Sequence, residues 1–191
     1  IGGHVLIIAR PALEVKANAM IIAVLSDSHD NIWNLADALE QAQAAGAQAL
    51  IFCGDFCAPF TLSQIGQSFA GPVHAVLGNN DGDPRLLLLN AQAAGNVTLH
   101  GQYAELPFDG RRVAVNHYPE IARRLAESGQ FDLVCYGHNH LAAVEQVGKT
   151  VLANPGEIMG RFGAPSFGLY DTASGQFELR PVRHCLVKRE T

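Results

Sequence analysis

Five short clusters of acid, amide and imidazole residues punctuate the first three-quarters of the chain: Asp27-Ser28-His29, Gly54-Asp55, Gly78-Asn79-Asn80-Asp81, the lone His117, and Gly137-His138-Asn139-His140. Two histidines separated by one residue project to the same side of an extended backbone, which is metal-ligand spacing. Together, Asp27, His29, Asp55, Asn79, His117, His138 and His140 offer carboxylate oxygen, amide oxygen and imidazole nitrogen. Such borderline donors suit Mn, Fe, Zn or Co; thiolate sets favour Zn or Cu(I), and all-oxygen sets favour Mg or Ca. Seven ligands are too many for one tetrahedral ion but enough for two ions that share a carboxylate.

Each residue alone has a plainer reading. A strand-end Asp such as Asp27 or Asp55 usually caps a helix or forms a turn. A single His117 would more often be a satisfied core histidine, and Asn79, Asn80 and Asp81 would be turn formers. Arg161, among glycines, could simply be solvated. What overrides these readings is recurrence, because every cluster directly follows a run that reads as a strand. His4, His74, His100 and His184 fall outside the clusters and are read as structural.

The elements that must carry the clusters follow from periodicity. Met20 to Leu25 reads as a buried strand ending at Asp27. After Asp30 or Asn31 as N-cap, Ile32, Leu35, Ala36 and Leu39 follow helical spacing, and Gly46 ends that helix. Ala47 to Cys53 is the next strand, delivering Asp55. Pro59 starts a helix with the stripe Leu62, Ile65 and Phe69, and Val73 to Leu77 is the strand that delivers Asn79. Residues 84–94 are helical, with a leucine run at 86–89 expected to be substantially buried. Beyond Val97 the pattern becomes strand-rich: pieces near 96–99, 102–106 and 111–116, the last two joined at Asp109-Gly110. A helix over 119–128 leads to the strand 131–135 before the paired histidines. A hairpin over 141–153 and strands near 166–171 and 176–182 close the chain.

The order is βαβαβ first and hairpin-rich later, which predicts an α/β fold: a four-layer α-β-β-α sandwich of two packed mixed sheets, its ligand loops at the carboxyl ends of central strands. The composition agrees. Of 191 residues, 48% are apolar and 16% charged, as sheets buried on both faces require. A formal charge of −5 argues against a protein that coats nucleic acid. No run of about 18 apolar residues is present to span a bilayer, so the expected location is cytoplasmic with no membrane partner. Cys53, Cys57, Cys135 and Cys185 lack zinc-ribbon or disulfide spacing and are read as reduced, small core residues. Residues 20–191 are expected to form one domain. Residues 1–19 are set apart as an N-terminal extension, native or not, in which 4–10 could add an edge strand.

Asp-x-His, Gly-Asp, Gly-Asn-x-Asp, a lone His and Gly-His-x-His, in this order, resemble the signature of the calcineurin-like metallophosphoesterase superfamily, over about Met20 to Val182. Gly78-Asn79-Asn80-Asp81 and Asn154-Pro155-Gly156 followed by Arg161 look like its small prokaryotic, YfcE-like phosphodiesterase group. The resemblance implies the metallo-dependent phosphatase fold and two divalent ions, manganese first, with Fe, Zn, Ni or Co as alternatives. It implies that Asp27, His29 and His140 hold one ion, that Asn79, His117 and His138 hold the other, and that Asp55 bridges them. A bridging hydroxide would attack a phosphoryl group, since two cations about 3.5–4 Å apart lower the pKa of shared water and neutralise developing charge.

Three departures qualify that picture. Many relatives have His where this chain has Asn80, and an amide cannot act as general acid. Asn80 is therefore assigned a catalytic and substrate-binding position that favours good leaving groups, with Asp81 orienting Asn79 or His117. Asn139 replaces a common threonine, its side chain facing away from the metals, and Glu157 replaces a serine, which bears on substrate preference. Arg161 is positioned to bind a substrate phosphate oxygen. The expected activity is hydrolysis of small organic phosphodiesters. Phosphomonoesterase or nuclease action at the same site is one alternative, and a non-catalytic scaffold of the same fold is another. Homo-oligomerisation is left open.

Overall fold

In the computed structural model, residues 19–183 are described, and they form two sheets packed face to face. The edge strand expected over residues 4–10 lies outside this range, as do His4, His184 and Cys185. The six-stranded sheet contains β1 (Ile21–Leu25), β2 (Ala47–Phe52), β3 (Val73–Ala75), β4 (Val97–Leu99), β10 (Ser166–Asp171) and β11 (Gln176–Pro181), in the order β11-β10-β1-β2-β3-β4. The five-stranded sheet contains β5 (Tyr103–Phe108), β6 (Arg111–Asn116), β7 (Leu133–Cys135), β8 (Ala143–Val147) and β9 (Thr150–Asn154), in the order β5-β6-β7-β9-β8. Strands β1 to β4 run parallel, as do β6, β7 and β9, while the remaining pairings are antiparallel. Both sheets are mixed.

The alternation along β1 explains the layering. Ala23 and Leu25 point to one face, where they meet Leu35 and Leu39 of α1 (Ile32–Ala44), Leu62 and Ile65 of α2 (Pro59–Ser68) and Leu87 of α3 (Pro84–Ala94). Ile22 and Val24 point to the other, against Val113 and Val115 of β6 and Leu133 of β7. Ala122 and Ala126 of α4 (Pro119–Glu127) cover Ala114, Val134 and Leu152 on the far side. Each fully buried aliphatic or aromatic side chain in these layers contributes about 1.5–3 kcal/mol. Among the described residues no helix is long and apolar enough to cross a membrane.

The helix starts agree with the capping chemistry. Asn31 caps α1, its side chain accepting from Asn34 N at 3.1 Å. Asp30 serves the next helix instead, its carboxylate accepting from Ala58 N at 2.9 Å and Thr61 Oγ1 at 2.7 Å. One expectation fails. Of the leucine run, only Leu87 is fully buried, whereas Leu86, Leu88 and Leu89 are 43%, 47% and 44% exposed. A helix on a sheet buries one stripe, here Leu87 and Ala91 four residues apart, and turns its neighbours in sequence outward.

His74 and His100 pair with each other, Nδ1 to Nε2 at 3.0 Å, and His74 also meets the Phe108 ring edge-on. Burial holds both imidazoles below their ordinary value of 6.5. The folded state therefore binds fewer protons than the unfolded chain, so this stabilisation is present above about pH 6.5 and is lost as the pH falls below it. Thermal melts at about pH 7.5 and about pH 5.5 should show a smaller acid-induced drop in Tm for His74→Leu than for the native chain. An equal drop would place the acid sensitivity elsewhere.

Candidate metal centre

Every cluster sits at the carboxyl end of a parallel strand. Asp27 and His29 follow β1, Asp55 follows β2, Asn79 follows β3, His117 follows β6, and His138 and His140 follow β7. Backbone hydrogen bonds extend the ladders into the loops: Asp27 N to Gly54 O at 3.0 Å, His29 N to Asp55 O at 3.0 Å, and Gly137 N to His117 O at 3.0 Å. The donors of both sheets are thus held in one register before any side chain is placed.

The side chains converge. Asp55 Oδ2 lies 3.5 Å from His29 Nε2 and 3.4 Å from His117 Nε2. Asp27 Oδ1 lies 3.5 Å from His140 Nε2 and 3.8 Å from His29 Nε2. Asn79 Oδ1 faces His117 Nε2 at 3.2 Å and His138 Nδ1 at 2.8 Å. Most of these gaps are long for hydrogen bonds. They match ligands around a common cation, since bonds of about 2.1 Å set neighbouring donors roughly 3–3.5 Å apart. Asp27, His29 and His140 form one group with donor atoms within 4.8 Å of one another, and Asp27, Asp55 and His117 form a second.

The outward nitrogens are occupied by the protein. His117 Nδ1 lies 2.7 Å from the Cys53 carbonyl, which can only accept, so Nδ1 carries the hydrogen. His140 Nδ1 lies 2.6 Å from Glu157 Oε2, and His29 Nδ1 lies 3.4 Å from Cys57 Sγ. Each ring therefore presents Nε2 inward, the arrangement of metal-ligating histidines. His29 Nε2 is buried without a hydrogen-bond partner. A buried, unpartnered ring nitrogen facing two carboxylates fits a cation at that point.

Electrostatics agree. Burial raises Asp55, but the His117 imidazole 3.4 Å away and the hydrogen bonds from Asn80 outweigh it and hold the carboxyl below the usual carboxylate range. His117 is lowered by burial and raised by Asp55, with a net upward shift. Asp27, across an ion-pair rather than hydrogen-bond gap, leads the upward shift of His29.

Three sequence expectations change here. The paired histidines do not lie on extended backbone: His138 and His140 have φ of 72° and 62°, left-handed values, and the turn sends His138 to Asn79 and His140 to Asp27. Asp81 does not meet Asn79 or His117; its carboxylate accepts from Gly78 N at 2.7 Å, Cys57 N at 2.7 Å and Asp55 N at 3.0 Å, so it holds the loops carrying Asp55 and Asn79. Cys57, read as a core residue, is only partly buried and abuts His29, and burial pushes its thiol up to about 12. Asn80 donates to Asp55 through its backbone N at 2.8 Å and its side-chain Nδ2 at 2.7 Å. Asn139 turns to Asn154 at 2.8 Å. Arg161 is exposed, its guanidinium 5.0 Å over the Phe162 ring.

The glycines of the clusters answer to crowding. A Cβ on Gly137 would collide with Ser26 Oγ and the Asp27 carboxylate, and one on Gly78 with the Asp55 carboxylate. At these two positions a side chain would displace the carboxylate that sits against the backbone.

Residues 20–175 match the model of the calcineurin-like phosphoesterase superfamily domain. A phosphodiesterase of Methanocaldococcus jannaschii is 27% identical over 161 residues, covering 83% of this chain and 96% of that protein. A solved archaeal phosphodiesterase superposes with a TM-score of 0.79 at 26% identity, over 85% of this chain and 99% of that one. The phosphoesterase YfcE of E. coli shares the fold, with a TM-score of 0.61 at 19% identity, over 86% of this chain and all of that one.

Gly137→Ala should destabilise the protein by about 1–3 kcal/mol in chemical denaturation. Gly82→Ala, where a Cβ meets open space at an ordinary φ, should change it by less than about 0.5 kcal/mol. Equal effects would show that crowding at Asp27 is not what requires glycine.

Proposed function

This chain belongs to the calcineurin-like phosphoesterase superfamily, and from that premise we propose that it hydrolyses small organic phosphodiesters with the help of two divalent cations, manganese first among the candidates. The observation that carries the reading is the position of Asp55 Oδ2, within 3.5 Å of an inward nitrogen from each group, His29 and His117. Asp27, His29 and His140 would hold one ion, Asn79, His117 and His138 the other, and Asp55 would touch both. When bound, the pair would supply Lewis acidity toward a phosphoryl oxygen and lower the pKa of coordinated water.

The remaining work falls to the chain itself. Asn80 places an amide donor beside Asp55, suited to a phosphoryl oxygen, but its amide has no proton to give a leaving oxygen. Good leaving groups are therefore favoured. Asp81 fixes the loops that carry Asp55 and Asn79. Arg161 stands on the exposed loop beside His140 and Phe162, where its fork fits a phosphate oxygen.

Assays of manganese-loaded protein on a bis-aryl phosphate and a mono-aryl phosphate test the reading. The diester should turn over faster, and Asp55→Asn should lower its kcat/KM by at least about 100-fold. Equal or faster turnover of the monoester would contradict the diester preference. Metal binding with no turnover of either ester would favour a scaffold, and an unaffected Asp55→Asn would contradict the shared carboxylate.

A further inference from the structure

Glu157 is an acid in an otherwise apolar stretch, Pro155 to Met159, and it is 1% exposed. Burying a carboxyl group is costly unless its oxygens are matched. Here each oxygen has a distinct task. Oε2 lies 2.6 Å from His140 Nδ1, while Oε1 accepts from Phe162 N at 2.6 Å and Gly163 N at 2.8 Å. The loop so anchored returns to the same histidine, because the Phe162 ring meets the His140 ring edge-on at 5.0 Å, and Arg161 lies over Phe162. One side chain thus joins the metal-side histidine to the exposed loop.

We propose that Glu157 is a positioning residue that sets the His140 tautomer for metal binding and couples metal occupancy to the conformation of the 160–163 loop. The inference rests on the two-cation reading of the same site. Its chemistry is that of an acceptor-only group. A carboxylate accepts from Nδ1–H and from two backbone N–H groups at once, leaving His140 Nε2 its lone pair. A glutamine of the same shape cannot do both. With its oxygen on the loop amides, its NH2 faces Nδ1 and forces the hydrogen onto Nε2, which then cannot ligate. With its oxygen on His140, its NH2 opposes two other N–H groups and the loop loses its anchor.

The test uses the full chain, manganese chloride titrations and hydrogen exchange by mass spectrometry. The native protein should bind two Mn²⁺, and binding should slow exchange over 160–163. Glu157→Gln should weaken one binding step about 10- to 100-fold, leave the other within about 3-fold, and abolish the metal-dependent protection of that loop. Glu157→Ala, free to choose either tautomer, should bind the affected ion no more weakly than Glu157→Gln; in both variants Tm and circular dichroism report the fold. Native-like manganese binding by Glu157→Gln, or loop protection that persists in it, overturns the inference while leaving the two-cation reading intact. A native protein that binds no Mn²⁺ overturns both.

Discussion

Too many acceptor atoms meet at the centre of this molecule for hydrogen bonds alone to satisfy them. Asp27, Asp55, Asn79 and four imidazoles converge from loops of both sheets, and their mutual distances exceed hydrogen-bond lengths where carboxylate faces ring nitrogen. Buried acceptors arranged this way repel one another unless positive charge sits between them. The facing carboxylates shift His29 and His117 upward, and the His117 ring and Asn80 shift Asp55 down. The architecture serves this convergence: parallel strands of two sheets end together, so that short loops bring these side chains to one point.

That convergence strains the backbone. Asp27, His29, Asp30, Asp55, Cys57, His138 and His140 all have positive φ. For residues with a side chain, such values cost about 1–2 kcal/mol each. The costs are confined to loop ends and are offset by layers such as Ile22, Val24, Val113 and Leu133, which are fully buried between the sheets. Hydrogen bonds hold the strained turns in place, with Asp81 accepting three backbone N–H groups and Asp27 accepting His138 N and Ser26 Oγ. The same acids that crowd the centre also brace it.

Much of this was legible in the sequence because strand-end placement is a local property. An apolar run followed by Asp-x-His or Gly-Asp locates both the strand and the polar side chain at its end, and the hairpin-rich second half announces the second sheet. What was not legible depends on three-dimensional direction. By spacing alone His138 and His140 read as one face of a strand, and only the family resemblance divided them; left-handed turns send them apart. The leucines at 86–89 read as one buried block, although the helix turns only one stripe inward, here through Leu87 and Ala91. Asp81 also reaches Cys57 N, 24 residues away, and Glu157 reaches His140 Nδ1, 17 residues away, and short-range spacing carries no trace of those contacts. The available signal for Glu157 was its chemistry alone: an acid between Gly156 and Ile158 has no apolar reason to be there.

Whether two cations share Asp55 can be read from the magnetism of the loaded protein. Electron paramagnetic resonance of the chain carrying two Mn²⁺ should show the temperature-dependent spectrum of an exchange-coupled pair, as ions about 3.5–4 Å apart with a common bridge require. Two superposed six-line spectra of isolated Mn²⁺ would contradict a shared carboxylate at the centre of the fold.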